Sequence, residues 1–353
     1  MHHGGVETVV NELRQRIWVL RLRPSVRSVI RSCLPCRIRK MKPTEPLTGE
    51  HPSARLAHHQ RPFTFTGLDF CGPYLVTVGR QHHKRYVALF TCLTTRAVHL
   101  ELAGSLSADA AILTLRRFMA RRGCPTEIWS DRGTNFVGAD NELRREALRA
   151  FEEEASEHLV RWRYIPPGAP FMGGAWERMV QSVKRALTTV LQEQHPREEV
   201  LSTLLAEAEF TVNSRPLTHV SVSAEDPEAL TPNHFLLGGA ARVPTPGAFV
   251  EADLNSRQQW RRAQRLADHF WQRWLREYLP LLQRRHSSQQ KGTPPEVDDM
   301  VLIVDENLPR NTWPRGRVLE LYPGKDGVVR VVELQTAAGR LKRPVKKIVV
   351  LPK

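Results

Sequence analysis

Cysteine is scarce in this chain of 353 residues, with five in all, at positions 33, 36, 71, 92 and 124. So few, so scattered, do not make a disulfide scaffold, and a reducing compartment is expected. Long apolar runs are missing as well. No stretch approaches the ~18–20 uncharged apolar residues of a spanning helix, and the N-terminus has no apolar signal core, so no membrane partner is expected. The chain has no phosphate loop, no dinucleotide fingerprint and no Gly-x-Ser-x-Gly elbow, which speaks against nucleotide-driven motors and serine hydrolases. Acidic charge is also short. Against 52 Lys and Arg there are 37 Asp and Glu, a net of +15. A surplus of that size points to a polyanionic partner, and with the membrane set aside that partner is nucleic acid. Otherwise the mixture, 41% apolar and 25% charged, is that of globular domains.

Apolar residues recur at three- and four-residue steps from Val6 to Leu20, which predicts a helix over 6–32. Residues 1–42 hold ten Lys and Arg against two Glu, a basic module. Prolines at 43, 46, 52 and 62 then mark a linker over 43–62. From 63 the pattern turns to short β-rich runs, 63–70, 86–93 and 97–102. A helix over 108–121, a strand over 127–129, an acidic helix over 140–156, a strand over 160–164 and helices over 174–192 and 197–213 follow. Three strands in succession and then alternating helices and strands predict an α/β fold with a mixed sheet over 63–222. A second irregular stretch leads into an Arg-rich amphipathic helix over 257–279, both within a segment, 223–295, read as linker and basic helix. Valine-rich runs at 300–304, 316–321, 328–334 and 344–350, separated by turn signals, predict a small β-barrel over 296–353. From 310 onward it carries eleven Lys and Arg against three acids.

Three acids stand out. Asp69 lies inside an apolar strand, where an ionised carboxylate is costly unless it is paired or binds a metal. Asp131 lies just past a strand end, a common gathering place for reacting groups in sheet folds. Glu177 opens the helix over 174–192 and shares one face with Gln181, Lys184 and Thr188. That face suits a metal ligand followed by phosphate contacts, though a solvated Glu–Lys face would look the same. Taken singly, each acid also reads as a cap or turn residue. Together, a strand, a strand end and a helix start can bring three carboxylates around two divalent cations ~3.5–4 Å apart, an arrangement suited to phosphodiester chemistry. Carboxylate oxygens with open water positions are the ligands Mg²⁺ prefers.

Thr66-Gly67-Leu68-Asp69, Ser130-Asp131-Arg132-Gly133-Thr134-Asn135-Phe136 and Met172-Gly173-Gly174-Ala175-Trp176-Glu177-Arg178 resemble the Asp-Asp-Glu signature of retroviral and retrotransposon integrases. The best likeness is to the BEL/Pao class of long-terminal-repeat retrotransposons. It extends through Asn213-Ser214-Arg215-Pro216-Leu217, Thr231-Pro232-Asn233-His234-Phe235-Leu236-Leu237-Gly238 and Trp313-Pro314-Arg315-Gly316-Arg317-Val318. The resemblance implies a ribonuclease-H-like core in which Asp69, Asp131 and Glu177 are catalytic and hold two Mg²⁺ or Mn²⁺ ions. It also implies DNA contacts at Asn135 and Lys184. Two features depart from the usual pattern: 45 residues separate Asp131 from Glu177, an excess assigned to the acidic stretch 140–156 as an outward insertion, and Arg132 stands where the family usually has Asn.

Cys33-Leu34-Pro35-Cys36 is half of a zinc site. By the same resemblance His3 matches the second histidine of a helical zinc bundle, with His2 an adjacent rival, and the first histidine falls upstream of Met1. His3, Cys33 and Cys36 therefore form an incomplete Zn²⁺ site, and the chain is expected to be an N-terminally truncated piece of a polyprotein. The remaining cysteines, Cys71, Cys92 and Cys124, read as buried apolar residues, and His99 as a structural residue without a partner arrangement. In the family the C-terminal module resembles a small SH3-like or chromodomain-like barrel. Its Arg340, Lys342, Arg343, Lys346 and Lys347, with Gln181 on the catalytic helix, are expected to meet DNA. The expected activity is that of a polynucleotidyl transferase and endonuclease: 3′-end processing of element DNA and its strand transfer into target DNA. Expected partners are those two DNAs and further copies of the chain, with action in the nucleus after passage through the cytoplasm. A catalytically degenerate or domesticated DNA- or chromatin-binding derivative is the alternative, and a ribonuclease H comes last because it leaves the zinc half-site and barrel unexplained.

Overall fold

The computed structural model describes residues 6–34, 53–132, 136–139, 141, 160–165, 174–217, 229–239, 247–282, 295–305 and 308–351, without the side chains of 174–178 and 280–282. Two units separate, Met1–His51 and Pro52–Lys353. No described helix is long and apolar enough to cross a membrane.

In the first unit the single helix expected over 6–32 is two, α1 (Val6–Arg14) and α2 (Leu22–Ser32). Pro24 gives the reason. Its ring would clash with the carbonyl one turn back in a continuous helix but is tolerated in a first turn. Arg21 takes the left-handed conformation at the break, φ 53°. Val10, Leu22 and Val26 close a small core with Val6, Val9, Leu13 and Ile30. Ile17 and Leu20, counted into the helical stripe, lie instead in the exposed connecting loop.

The second unit is mixed α/β. Its first sheet contains β1 (Phe65–Val78), β2 (Gln81–Cys92), β3 (Val98–Ala103), β4 (Glu127–Ser130) and β5 (Arg161–Tyr164), in the order β3-β2-β1-β4-β5. The three-strand meander is antiparallel, and β4 and β5 join parallel. Both faces are covered, which explains the unbroken burial of Val87 through Cys92 along β2. On one face Ala88 and Phe90 meet α3 (Ala108–Arg122) through Leu115 and Phe118, the rings of Phe90 and Phe118 stacking 4.1 Å apart. On the other, Val87 and Leu89 meet α4 (Gly174–Leu191), α5 (Glu198–Asn213) and α7 (Gln259–Leu282). The short α6 (Pro232–Leu237) lies between α5 and α7 in sequence.

The helix expected over 257–279 is present, and its apolar face is part of the main core. Ala263, Leu266, Phe270, Trp271, Trp274 and Tyr278 lie in one cluster with Leu187, Leu204 and Leu89. Its arginines do not form an open basic stripe. Arg261 donates to Asp253 at 2.7 Å, Arg265 to Glu251 at 2.6 Å, Arg262 to Gln194 at 3.3 Å, and Arg273 to Glu277. These four cations already have acidic or amide partners within the unit.

A second sheet, all antiparallel, runs β10-β6-β7-β8-β9. Its strands are β6 (Met300–Ile303), β7 (Arg315–Pro323), β8 (Val329–Thr336), β9 (Gly339–Pro344) and β10 (Ile348–Val350). The run expected over 344–350 divides into the end of β9, a 3₁₀ turn at Val345–Lys347, and β10. Val301, Ile303, Val318, Val332, Leu334 and Ile348 form this sheet's own core. Leu302 and Val349 alternate onto the opposite face and enter the main core with α7. Trp313 stands edge-on to Trp271 and Trp274, with ring centroids 5.0 and 5.9 Å away.

The motif segments beyond the acids are joints of this fold. Asn213, at the end of α5, pairs with β3 as a strand would: its Nδ2 donates to the Val98 carbonyl at 2.7 Å, and the Val98 N–H donates to its Oδ1 at 2.8 Å. Arg215, 1% exposed, donates to the carbonyls of Val212 at 2.6 Å and Arg96 at 2.5 Å. Asn233 donates to the Ser214 hydroxyl at 3.0 Å. Asn213→Ala would strand two buried backbone groups of Val98, a loss of about 2 kcal/mol or more. Chemical denaturation should show it as a lower midpoint with an unchanged slope.

Candidate active site

In the parallel pairing of β1 with β4, Gly67 lies opposite Trp129. The pairing ends there, so Asp69 on β1 and Asp131, just past the end of β4, each lie two residues beyond the last paired step. Phe65, Cys71 and Trp129 pack toward the cluster that holds α4, whereas Leu68 and Phe70 pack toward α3. By alternation Asp69 therefore faces α4, where Lys184 meets it. Asp69 avoids the cost of a buried charge in two ways. Its side chain is 37% exposed, and the Lys184 ammonium of α4 lies 2.5 Å from its Oδ2. Its Oδ1 accepts the Phe70 N–H at 2.7 Å. Asp131 is exposed, as is Arg132.

Glu177 lies in the first turn of α4, seven residues before Lys184, or about 10 Å along the axis. Its side chain falls outside the described residues, as do Asn135, His3, Cys36 and the stretch 142–159 that contains most of the acidic segment. Gln181 is exposed on α4. Among the described residues no cluster of three His, Cys, Asp or Glu is placed to hold a metal. What the fold does bring together is Asp69 and the helix that carries Glu177, through Lys184, with Asp131 just past the end of the neighbouring strand.

Cys71 and Tyr74 adjoin this site. Burial drives the Cys71 thiol up to about 11, so it stays protonated at neutral pH. The Tyr74 hydroxyl lies 3.4 Å from Thr188 on α4, and its pKa is also raised, chiefly by burial. Cys92 is buried as expected; Cys124 is exposed, a correction, because it sits in the loop after α3 and not on a strand.

Sequence reasoning missed a second charged cluster. His99 on β3 places Nε2 3.0 Å from Glu101 and Nδ1 3.0 Å from Glu209 of α5, so it has the partners the sequence did not reveal. Arg117 and Arg121 of α3 reach Glu101 at 2.9 and 2.7 Å, and Arg122 reaches Glu209. Burial lowers the His99 pKa, but hydrogen bonds to Glu101 and Glu209 outweigh it and the net shift is upward. Burial raises both carboxyls; bonds from His99 outweigh it, and both end below their usual value. A raised histidine stabilises the fold fully below its unfolded value of 6.5, and that contribution is lost as pH climbs through the folded value. The carboxylates contribute above 4.5 and lose it as pH falls. Melting temperature should therefore drop between about pH 6 and pH 9, and His99→Gln should flatten that limb; an unchanged slope would count against the cluster.

On the second sheet Arg340 and Lys342 are exposed on one face of β9, and Arg343, one residue on, lies on the other. Lys342 sits 4.1 Å from the Tyr322 ring centroid. Lys346 and Lys347 are exposed in the following turn. These five cations do not share a single face.

Comparison with known families now bears on the first unit. Residues 1–42 match the integrase zinc binding domain. Within the matched residues Cys33 is partly buried at the end of α2, its N–H donating to the Val29 carbonyl at 3.1 Å. Residues 258–351 match a family of unknown function, DUF5641. Neither match reaches Asp69 or Asp131. No curated protein matches the chain. Among solved structures the chain is similar to the simian T-cell lymphotropic virus intasome in complex with the PP2A regulatory subunit B56 gamma. That match has 14% identity and a TM-score of 0.32, covering 99% of this chain and 96% of the other. It is also similar to the HTLV-2 integrase catalytic core domain in complex with magnesium, at 16% identity and a TM-score of 0.31, covering 50% of this chain and 97% of the other. Likenesses so loose decide neither fold nor chemistry here.

Proposed function

We propose that this chain is a retroelement integrase of the BEL/Pao type, with a ribonuclease-H-like core, a zinc-binding helical module before it and an SH3-like barrel after it. The observation that carries the reading is that Lys184 ties α4, the helix of Glu177, to Asp69, with Asp131 just past the end of the strand paired to β1. The donor set fits divalent magnesium or manganese, since it consists of carboxylate oxygens, one of which already accepts a cationic partner. Asp69, Asp131 and Glu177 would hold the ions; when bound, such a pair polarises the attacking and leaving oxygens of a phosphodiester. His3, Cys33 and Cys36 would contribute to Zn²⁺ binding.

The chain's own residues supply the rest. Gln181 and Lys184, spaced along α4, position the phosphates of the element end, and the motif likeness assigns Asn135 the same role. Arg340, Lys342, Arg343, Lys346 and Lys347 hold flanking DNA, so binding should weaken steeply with salt. Water first trims the 3′ end, and the freed hydroxyl then attacks the target phosphodiester in line; no covalent protein intermediate is needed. Two element ends must be joined together, so the acting form is a homo-multimer, and the site of action is the nucleus.

One observation favours a second reading, a DNA- or chromatin-binding derivative without catalysis: Arg132 is exposed next to Asp131, a cation beside a metal ligand. A joining assay on a terminal-repeat duplex, titrated with Mg²⁺ and Mn²⁺, separates the two. Metal-dependent joined product is the expected result; salt-sensitive binding with no product at any metal concentration would establish the second reading.

A further inference from the structure

The loop between α1 and α2 leaves four consecutive apolar side chains in water. Ile17 is 53% exposed, Val19 40%, and Trp18 and Leu20 each 83%. A two-helix module whose core holds Val10, Leu22 and Val26 has few apolar groups, and here the largest points outward. Desolvating a tryptophan is worth more than any other contact of a module this size can offer, so an occupant is called for.

The surroundings define its chemistry. Arg14, Arg16, Arg21 and Arg23 flank the quartet, and all four are exposed. The acids of the module, Glu7 and Glu12, sit on α1 and engage Arg23 at 2.7 Å and Arg16 at 3.9 Å, an exposed and weak pairing in the second case. The partner is therefore anionic and presents flat apolar faces. A second copy of the same loop fails the charge condition, since two arginine-flanked loops repel. Intact duplex DNA fails the other, because its base faces are stacked out of reach. Unpaired DNA meets both: its phosphates suit arginine, and each base offers a face on which an indole stacks whatever the sequence.

We infer that the loop at 15–21 binds an unpaired DNA end, with Trp18 stacking on a base and Arg16 and Arg21 meeting the phosphates on either side. This rests on the DNA reading above but adds a site and a substrate form to it. It predicts a preference for DNA with a single-stranded overhang, which is the product shape left by 3′ trimming.

The test uses the full chain and fluorescence anisotropy with two probes: a blunt duplex, and the same duplex carrying a short 5′ overhang. Trp18→Ala should weaken overhang binding about tenfold while changing blunt binding less than about twofold, and Trp18→Phe should recover most of the loss. Arg16→Gln with Arg21→Gln should lower the salt slope on the overhang probe. Unchanged overhang binding in Trp18→Ala overturns the inference, as does an equal loss on both probes. A change in sedimentation of the DNA-free protein would reassign the loop to contact between copies. Wild-type chain that binds neither probe would overturn the DNA reading itself, whereas blunt binding with no overhang preference overturns this inference alone.

Discussion

Asp69→Asn is expected to drop strand transfer by roughly 10³-fold or more, matching a loss of several kcal/mol of transition-state stabilisation. DNA affinity should remain within about threefold of wild type, because most of the cations assigned to phosphate, Arg340, Lys342, Arg343, Lys346 and Lys347, lie on the second sheet and the Lys184 charge is kept. The substitution keeps shape and volume but removes the charge that the Lys184 ammonium meets at 2.5 Å. An uncharged amide there holds neither a lysine nor a divalent ion well. End processing and strand transfer should fall together, since one site serves both. Because Asp69 is part exposed and the amide can still accept the Phe70 N–H, the fold should survive, which a circular dichroism melt within a few degrees of wild type would verify. Joining at wild-type rate by the variant would sink the assignment of this carboxylate.

Trp274→Ala should cost about 3–5 kcal/mol, as expected for emptying a buried aromatic site. Trp274 is fully buried, stacks on Tyr278 at 4.6 Å and stands edge-on to Trp313, so it joins α7 to the second sheet as well as to the first. Beside it, buried Arg310 donates to the Gln264 carbonyl at 3.1 Å and lies 3.6 Å from Glu207, a polar tie across the same junction. A stronger form of the prediction follows. A chain ending at residue 222, where the sequence alone would end the catalytic domain, loses α7 and exposes the core faces of α4 and α5. It should aggregate or melt without cooperativity, whereas a chain running from 53 through 351 should unfold in one transition. Calorimetry of both would decide it, and a well-folded 63–222 fragment would be fatal to the idea.

Much of the first sheet was legible because its determinants are local. β-branched and aromatic runs bounded by turn residues located β1 to β5 within a few residues, except that β1 runs on past Phe70 to Val78 and β2 begins earlier, in the polar stretch 81–85. There Lys84 and His82 pair with Leu75 and Thr77 of β1, a pairing that the polar side chains of β2 do not announce. The helices α3, α4 and α5 announced themselves by spacing. Asp69 drew notice because a carboxylate between Leu68 and Phe70 conflicts with its surroundings.

By itself, then, the sequence determined the order and type of the elements, the basic balance, the two C-terminal residues of a zinc half-site and the candidacy of three acids. Periodicity, composition and motif spacing are all written along one dimension. Only the tertiary structure decided which partners those residues meet. It turned an apparently basic linker helix into core, because Glu251, Asp253 and Glu277 satisfy its arginines while its aromatic face finds α4 and α5. It gave His99 two carboxylates, one of them 110 residues away on α5. It brought Lys184 of α4 to Asp69, 115 residues away, a pairing that no local pattern encodes. Contacts between distant segments depend on which surfaces remain apolar after every element has formed, and that is a property of the folded whole.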